Sequence, residues 1–176
     1  EIDVVVIALP AMERFKVINK FNKVKAIICE KPLASSYNEI LKIENHCKKH
    51  KINLYVNYWR RYDKKIVKLK ESLLKYKLGK FQTGFATYGG SFFSNGVHVV
   101  DLIDFLLGPI KSIDKANSDN GKDKDYLIKI KGNKKIFLSF INFKFYRELY
   151  LDLWGGDGRI ILAHESLDLF FYKKKK

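Results

Sequence analysis

The chain has 176 residues, of which 47% are hydrophobic and 30% are charged, so it is long enough to bury a sizeable core in one large domain or two small ones. Its formal net charge is +15, but 29 of the 34 basic residues are lysines spread along the chain. Because proteins that read base sequence rely on arginine forks, the charge predicts loose binding of anions and no specific nucleic-acid partner.

The first 58 residues alternate strand and helix signals. Short apolar runs rich in β-branched residues predict buried parallel strands, covered on both faces, at 4–9, 26–29 and 54–56. Helical spacing of apolar residues predicts helices over 12–22 and from Ser36 to about His50, and Ser36 with Glu39 forms a capping box. The β-α-β-α-β order predicts a parallel sheet with right-handed crossovers.

The pattern changes after residue 58. A basic amphipathic helix is predicted over 64–77, a strand over 81–88 and a short apolar helix over 98–107. From residue 111 onward the chain shows only strand signals, with a polar loop at 117–124 and a frayed tail at 173–176; the predicted strands are 111–116, 126–131, 135–144, 148–154, 159–163 and 167–172. Residues 59–176 are therefore predicted to form an α+β domain with a large open, mostly antiparallel sheet.

The tripeptide Glu30-Lys31-Pro32 comes directly after a predicted buried strand. In open α/β sheets, ligands bind beyond the carboxyl ends of the strands. A lysine at this position is able to donate to a substrate hydroxyl and tune its pKa, and Pro32 stiffens the turn. The alternative is an ordinary strand-end loop with solvated charges.

A second group of candidate residues surrounds His98, at the predicted start of a helix. The helix dipole disfavours an imidazolium there and leaves a neutral ring that accepts a proton. Gly96 permits close approach of backbone or ligand, and Asp101 suits the first helical turn. The alternative is that Asn95 caps the helix and His98 is a packed, hydrogen-bonded histidine.

Taken in order, three segments resemble the Gfo/Idh/MocA family of NAD(P)-dependent oxidoreductases over residues 3 to about 162. They are the strand at 4–10, the segment Cys29-Glu30-Lys31-Pro32-Leu33-Ala34, and the pattern Gly-x-His-x-x-Asp-(x)6-Gly from Gly96 to Gly108. The resemblance implies that residues 1–58 are the C-terminal part of a Rossmann domain that holds NAD or NADP. It implies that residues 59–176 supply much of the substrate pocket and the oligomer contact.

The resemblance also implies roles for individual residues. Lys31 matches the family lysine that contacts the substrate oxygen and the nicotinamide, and His98 matches the general acid/base. The implied cofactor-binding residues are Leu9, Pro10, Glu30, Lys31, Pro32 and Arg60, and the implied substrate-binding residues are Lys31, Tyr58, Ser94, Asn95 and His98. The implied reaction is hydride transfer involving a sugar, a polyol or a sugar derivative, in a homo-oligomer joined through the C-terminal sheet.

Three features depart from the family pattern. No glycine precedes Gly79, so the Gly-rich phosphate turn is expected upstream of Glu1 and the chain is expected to be a fragment. Ser94 stands where many members carry an aspartate. Arg14 stands where a histidine is often found, and it suits either a cofactor phosphate or an exposed position. These departures leave open a non-catalytic ligand-binding or regulatory relative.

Two cysteines, Cys29 and Cys47, exclude a disulfide-dense secreted scaffold. No apolar run has the length of a membrane span and no secretory leader is recognisable, so a cytoplasmic protein is expected. His46 and His50 have a spacing compatible with zinc. Lysines surround them and no third ligand is placed, so a solvated helix face and no metal are expected.

Overall fold

The computed structural model describes residues 2–116, 124–132, 134–142, 144–146 and 148–174, without the side chains of 72–76. The chain divides into two compact units, Glu1–Trp59 and Arg60–Lys176, here called unit 1 and unit 2. The predicted polar loop lies, except for Lys124, outside the described residues, as do the last two residues of the predicted tail.

Unit 1 contains a three-stranded parallel sheet in the order β1-β2-β3. Its elements are β1 (Val4–Ile7), α1 (Ala11–Ile18), β2 (Ala26–Cys29), α2 (Tyr37–Lys49) and β3 (Asn53–Val56). The register aligns Ile7, Cys29 and Val56, the last residues of the three strands. The predicted β-α-β-α-β order is therefore confirmed, and the loops that follow the strands share one edge of the sheet.

Among the described residues, the two helices of unit 1 cover one face of its sheet. Ile27 and Cys29 are fully buried in a core with Ile18 of α1 and Ile43 of α2. The alternate positions of the strands remain exposed, at Val4, Val6, Ile28 and Tyr55. The expectation of strands covered on both faces is thus wrong for the described residues. Two right-handed crossovers that advance in the same direction across a sheet place both helices on the same face.

The start of α2 follows its sequence signal. The Ser36 hydroxyl accepts a hydrogen bond from the Glu39 backbone N–H at 3.3 Å, which confirms the predicted cap. The Glu39 carboxylate accepts from the N–H and hydroxyl of Ser35, at 3.2 and 2.7 Å. In the usual capping box the glutamate accepts from the N-cap residue, whereas here Glu39 accepts from Ser35, the residue before the cap.

Unit 2 is built on a seven-stranded sheet in the order β10-β9-β8-β4-β7-β6-β5. The strands are β4 (Phe81–Gly89), β5 (Ile110–Lys115), β6 (Tyr126–Ile130), β7 (Lys134–Ile141), β8 (Leu149–Gly155), β9 (Gly158–Ala163) and β10 (Asp168–Lys173). Neighbouring strands pair antiparallel except β4 and β7, which are parallel. The predicted α+β fold with a large, mostly antiparallel sheet is confirmed.

The helical segments of unit 2 cover one face of this sheet. A 3₁₀ turn (Trp59–Tyr62) leads to α3 (Lys64–Lys68) and a π-helical segment (Leu69–Leu78), and a π-helical turn (Phe92–Gly96) leads into α4 (Val97–Leu107). Residues of α3, the π-helical segment and α4 share a core with the inward-facing residues of the strands. The other face, here called the outer face, exposes aromatic side chains at Phe85, Phe137, Trp154, Phe170 and Tyr172.

Candidate active site

The strand-end edge of unit 1 brings the first predicted group of residues together. The Glu30 N–H donates to the Ile7 carbonyl at 3.0 Å, and the Asn57 N–H donates to the Cys29 carbonyl at 2.8 Å. These bonds continue the strand pairing into the loops. The Asn57 side-chain amide donates to the Glu30 carboxylate at 2.6 Å, so that this carboxylate is held in one orientation beside Lys31.

Arg14 ties the first two of these loops together from within the unit. Its side chain is buried, with 4% exposed. The guanidinium donates from Nε to the Leu9 carbonyl at 2.7 Å, and from Nη1 to the carbonyls of Glu30 and Pro32. The expectation that Arg14 lies exposed is wrong, because the side chain is buried and bonds to the backbone carbonyls of these loops and to the Cys29 side chain. A contact with a cofactor phosphate stays a prediction.

Most of the predicted cofactor residues therefore lie at one edge of unit 1. Lys31 is half-buried, and the Lys31–Pro32 peptide bond is cis. Tyr58 follows β3 at the same edge and is also half-buried. The loops thus gather Leu9, Pro10, Glu30, Lys31, Pro32 and Tyr58 at the carboxyl ends of the strands. Their roles in binding remain predictions.

In unit 2, the helical segment that carries His98 begins earlier than the sequence predicts. Ser91 caps it, because the Ser91 hydroxyl accepts from the Ser94 N–H at 3.1 Å. The Asn95 side-chain amide instead donates to the Gly89 carbonyl at 2.7 Å. The alternative in which Asn95 caps the helix is therefore wrong, and this residue fastens the π-helical turn to the end of β4.

His98 is half-buried in α4. Because helical backbone already runs from Phe92, His98 lies in the second helical turn, and the dipole effect is confined to the first. The helix dipole therefore does not act on His98 as the sequence predicts. Gly96 is required for packing, since a Cβ there would lie 2.8 Å from the Phe92 ring. Ser94 precedes His98 by four residues on the same helical segment.

The structure adds a pair of carboxylates on α4 that share one arginine. Arg61 donates from Nε to Asp101 at 2.8 Å and from Nη2 to Asp104 at 3.1 Å. Asp101 is 9% exposed, and its burial raises the pKa of the carboxyl above its ordinary value, while Arg61 opposes that rise. The sequence shows Asp101 next to His98 but contains no local signal for a partner 40 residues away.

Arg60, a predicted cofactor residue, is engaged within unit 2. It is 7% exposed, and it donates from Nε to the Ser166 hydroxyl at 2.8 Å and from Nη2 to the Glu165 carbonyl at 3.2 Å. The turn that it holds has positive φ angles at His164, Glu165 and Ser166, of 50°, 56° and 70°. Arg60 therefore stabilises this turn by hydrogen bonds. A contact between Arg60 and a cofactor stays a prediction.

The histidine pair on α2 also makes protein contacts. A ring nitrogen of His46, Nε2, lies 2.7 Å from the Phe21 carbonyl, and the rings of His46 and His50 have centroids 4.6 Å apart. Within the part of the chain that the structure describes, no group of three or more His, Cys, Asp or Glu side chains is placed to hold a metal ion. No helix among the described residues is long and apolar enough to span a bilayer.

Comparison with known proteins finds a family model that matches the first unit. Residues 1–58 match the family described as "Oxidoreductase family, NAD-binding Rossmann fold", the Gfo/Idh/MocA oxidoreductases. A curated relative, the rhizopine catabolism protein MocA of Rhizobium meliloti, is 29% identical over 123 residues, which are 61% of this chain and 39% of that protein. The predicted resemblance, and with it the class of cofactor that the family binds, is confirmed.

Solved structures share the fold of the whole chain. The WlbA dehydrogenase from Chromobacterium violaceum, in complex with NADH and UDP-GlcNAcA, superposes with a TM-score of 0.79 at 15% identity, over 99% of this chain and 60% of that one. A super-repressor mutant of Gal80p from Saccharomyces cerevisiae gives a TM-score of 0.84 at 15% identity, over 98% of this chain and 58% of that one. This chain thus spans 39–60% of the length of these proteins.

Proposed function

We propose that the protein containing this chain is an NAD(P)-dependent oxidoreductase, since residues 1–58 match the model of the Gfo/Idh/MocA oxidoreductase family. Its substrate is a sugar, a polyol or a sugar derivative, in which a hydroxyl-bearing carbon exchanges a hydride with the cofactor. The single observation that carries this proposal is the strand-end edge of unit 1, where Lys31 lies in the middle one of three loops that Arg14 and Asn57 hold together.

The strand-end edge suits the nicotinamide end of such a cofactor. Leu9, Pro10 and Pro32 offer apolar surface for a flat ring, and the Glu30 carboxylate held by Asn57 offers an acceptor for a carboxamide N–H. The cofactor, when bound, accepts or supplies the hydride, and the protein provides orientation and proton handling. The residues present at this edge therefore fit the nicotinamide part of the cofactor.

Two side chains would handle the proton of the reacting hydroxyl. We assign to Lys31 a hydrogen bond from its ammonium to the substrate oxygen, which stabilises the negative charge that develops there. We assign to His98 the removal or return of the proton of the reacting hydroxyl. His98 stands on α4, a buried helix of unit 2, which gives the ring a rigid support.

The test is an assay of turnover by the full protein with NAD or NADP and a panel of sugars and polyols. The absorbance of the reduced cofactor measures the rate. Lys31→Met and His98→Gln are each expected to lower kcat by about 10²–10⁴-fold, the usual contribution of such groups. Lys23→Met and His164→Gln change exposed residues of the same types and are expected to retain kcat. Turnover of both site variants at the control rate would rule the assignment out.

A second candidate function is a ligand-binding or regulatory protein that does not catalyse a reaction. Two observations favour it: Ser94 stands at the family's aspartate position, and the fold also matches a super-repressor mutant of Gal80p. In that case the protein binds a cofactor or a sugar in a calorimetric titration but reduces no cofactor with any substrate. Turnover with any member of the panel would exclude this candidate.

We further propose that a segment outside this chain completes the Rossmann unit. The support is the apolar face of the unit 1 sheet, where Val6 is 69% exposed and Tyr55 is 50% exposed. Parallel sheets are normally covered on both faces, and this chain spans 39% of its curated relative. The completing segment would also supply the Gly-rich pyrophosphate turn. Sequencing of the transcript and the intact mass of the natural protein test this proposal.

We also propose that copies of the protein associate through the outer face of the seven-stranded sheet. Cross-strand neighbours Phe85 and Phe137 are 39% and 37% exposed there, with ring centroids 6.0 Å apart. Exposed aromatic patches of this kind mark interaction surfaces. Phe85→Glu is expected to shift the molar mass measured by light scattering to that of the monomer, whereas exposed Phe145→Glu, in a turn, is expected to leave it unchanged.

A further inference from the structure

Arg61 makes a fork-like contact with the helix that carries His98. Its Nε and Nη2 each lie 2.8 Å from the Asp101 carboxylate, and Nη2 lies 3.1 Å from Asp104. The guanidinium carbon is 5.3 Å from the centroid of the Phe105 ring. One side chain from the segment at the start of unit 2 therefore contacts three positions along α4, two by hydrogen bonds and one by the Phe105 ring.

The Asp101 carboxylate depends on this contact. Only 9% of the residue is exposed, and a carboxylate removed from water needs a charged or hydrogen-bonding partner. The planar guanidinium carries fixed, divergent donors that a lysine ammonium lacks. Arg61 is therefore able to hold Asp101 and Asp104 together, and a lysine at the same position would pair with them one at a time.

The contact also lies next to the proposed proton-transfer group. His98 and Asp101 are three residues apart on α4, and such positions are neighbours on a helix surface. The helical segment is fastened at its other end by the Ser91 cap and by the bond from Asn95 to Gly89. His98 thus stands between two anchors of the same helical segment.

We propose that Arg61 is a positioning residue, which fixes the turn of α4 that bears His98 at the place where its ring meets the reacting oxygen. This inference rests on the proposed function for its catalytic consequence. Arg61 itself transfers no proton and touches no substrate. Its effect follows from geometry, because misplacement of a catalytic group by about 1 Å is enough to lower the rate by roughly 100-fold.

Unit 2 offers a matched control in a second buried arginine–aspartate pair. Arg159 donates to Asp152 at 2.9 and 2.6 Å. The side-chain exposures are 33% and 7%, against 35% and 9% for Arg61 and Asp101. Arg159 and Asp152 lie on β9 and β8, away from the helix that carries His98. Loss of either arginine deprives a buried carboxylate of its guanidinium partner, although Asp152 keeps its hydrogen bond with Tyr150.

The experiment compares Arg61→Met, Arg61→Lys and Arg159→Met in the full protein. Arg61→Met is expected to lower kcat by about 10- to 100-fold with the KM for the nicotinamide cofactor unchanged. Arg61→Lys is expected to recover part of that loss, since it restores one ion pair. Arg159→Met is expected to keep kcat close to that of the wild type while its melting temperature also falls, by less than that of Arg61→Met because Tyr150 still serves Asp152.

Amide hydrogen exchange gives a readout that needs no turnover. In Arg61→Met, exchange in the segment from Val97 to Asp101 is expected to be about 10-fold faster relative to exchange in β8, and in Arg159→Met it is expected to match the wild type. Equal effects of the two Met variants on kcat and on this exchange ratio would overturn the proposal. If the wild type shows no turnover, the proposed function fails, and the exchange ratio alone still decides whether Arg61 positions the helix.

Discussion

Removal of Arg14 tests whether one buried arginine holds the strand-end loops of unit 1 in place. In Arg14→Met the apolar stem is retained, but the bonds to the carbonyls of Leu9, Glu30 and Pro32 are lost. Each carbonyl left without a partner costs about 1–3 kcal/mol. These groups are half-buried and the variant also avoids the burial of a charge, so the low end applies, for a total of about 3 kcal/mol.

The chain carries its own probe for the opening of unit 1. Its two cysteines are Cys29, which is fully buried, and Cys47, which is 3% exposed, and both lie in the core of this unit. Burial raises the pKa of both thiols, and Arg14 opposes that rise at Cys29. The rate at which a thiol reagent modifies Cys47 therefore reports the opening of the unit without a direct effect of Arg14 on the thiol. A loss of about 3 kcal/mol is expected to accelerate the reaction by about 100-fold, since about 1.4 kcal/mol corresponds to a factor of ten.

The reaction is followed at Cys47 by mass spectrometry of its peptide, in wild type, Arg14→Met and Arg14→Lys, because Arg14 acts directly on the Cys29 thiol. Arg14→Lys is expected to react at an intermediate rate, because one ammonium reaches fewer of the carbonyls. Arg159→Met, in the other unit, is the control and should leave the Cys47 rate unchanged. If Arg14→Met reacted at the wild-type rate, the three carbonyls would have other partners and the reasoning about the loops would be wrong.

Three other predictions address single features. The hydrogen bond to Asp168 raises the pKa of His164, so the pair stabilises the fold below the unfolded pKa of about 6.5 and loses this effect as the pH rises through the folded pKa. An NMR titration should show the His164 pKa falling in Asp168→Asn. Gly155→Ala is expected to lower the melting temperature of unit 2 sharply, because its Cβ would lie 2.0 Å from the Leu78 carbonyl oxygen. Ser94→Asp is expected to raise kcat if the protein is an enzyme with a weakened proton relay, and an unchanged kcat would show that the serine does not limit the rate.

The sequence predicts the elements of this fold well because its apolar patterns are local and consistent. Continuous β-branched runs at Val4–Ile7 and Ala26–Cys29 became parallel strands, and the alternating segments after residue 110 became the antiparallel part of the second sheet. The capping pattern at Ser36 also predicts the N-terminus of α2 correctly. In each case the determining residues lie within a few positions of one another.

The sequence fails where a structural role depends on a distant partner. Arg14 looks like an exposed helical residue, and only the fold brings the carbonyl of Pro32 to it. The predicted helix at 98–107 matches α4, but the π-helical turn before it is missed, because such a turn lacks the spacing that pattern rules detect. The Arg61–Asp101 pair joins residues 40 positions apart. Such contacts are set by topology, so they become visible only once the strand order and the helix packing are known.

The few arginines of this chain have structural roles within its two units. The sequence has five arginines and 29 lysines, and each of the four arginines that the structure describes bonds to backbone or to side-chain oxygens inside its own unit. Lysine would serve poorly at these places, because the bonds use two or more donors of one planar group. The excess positive charge comes from lysines, whereas the four described arginines donate hydrogen bonds inside their own units. The net charge of +15 therefore describes the solvated surface, and it gives no support to a nucleic-acid reader, which would need free arginine forks at an accessible face.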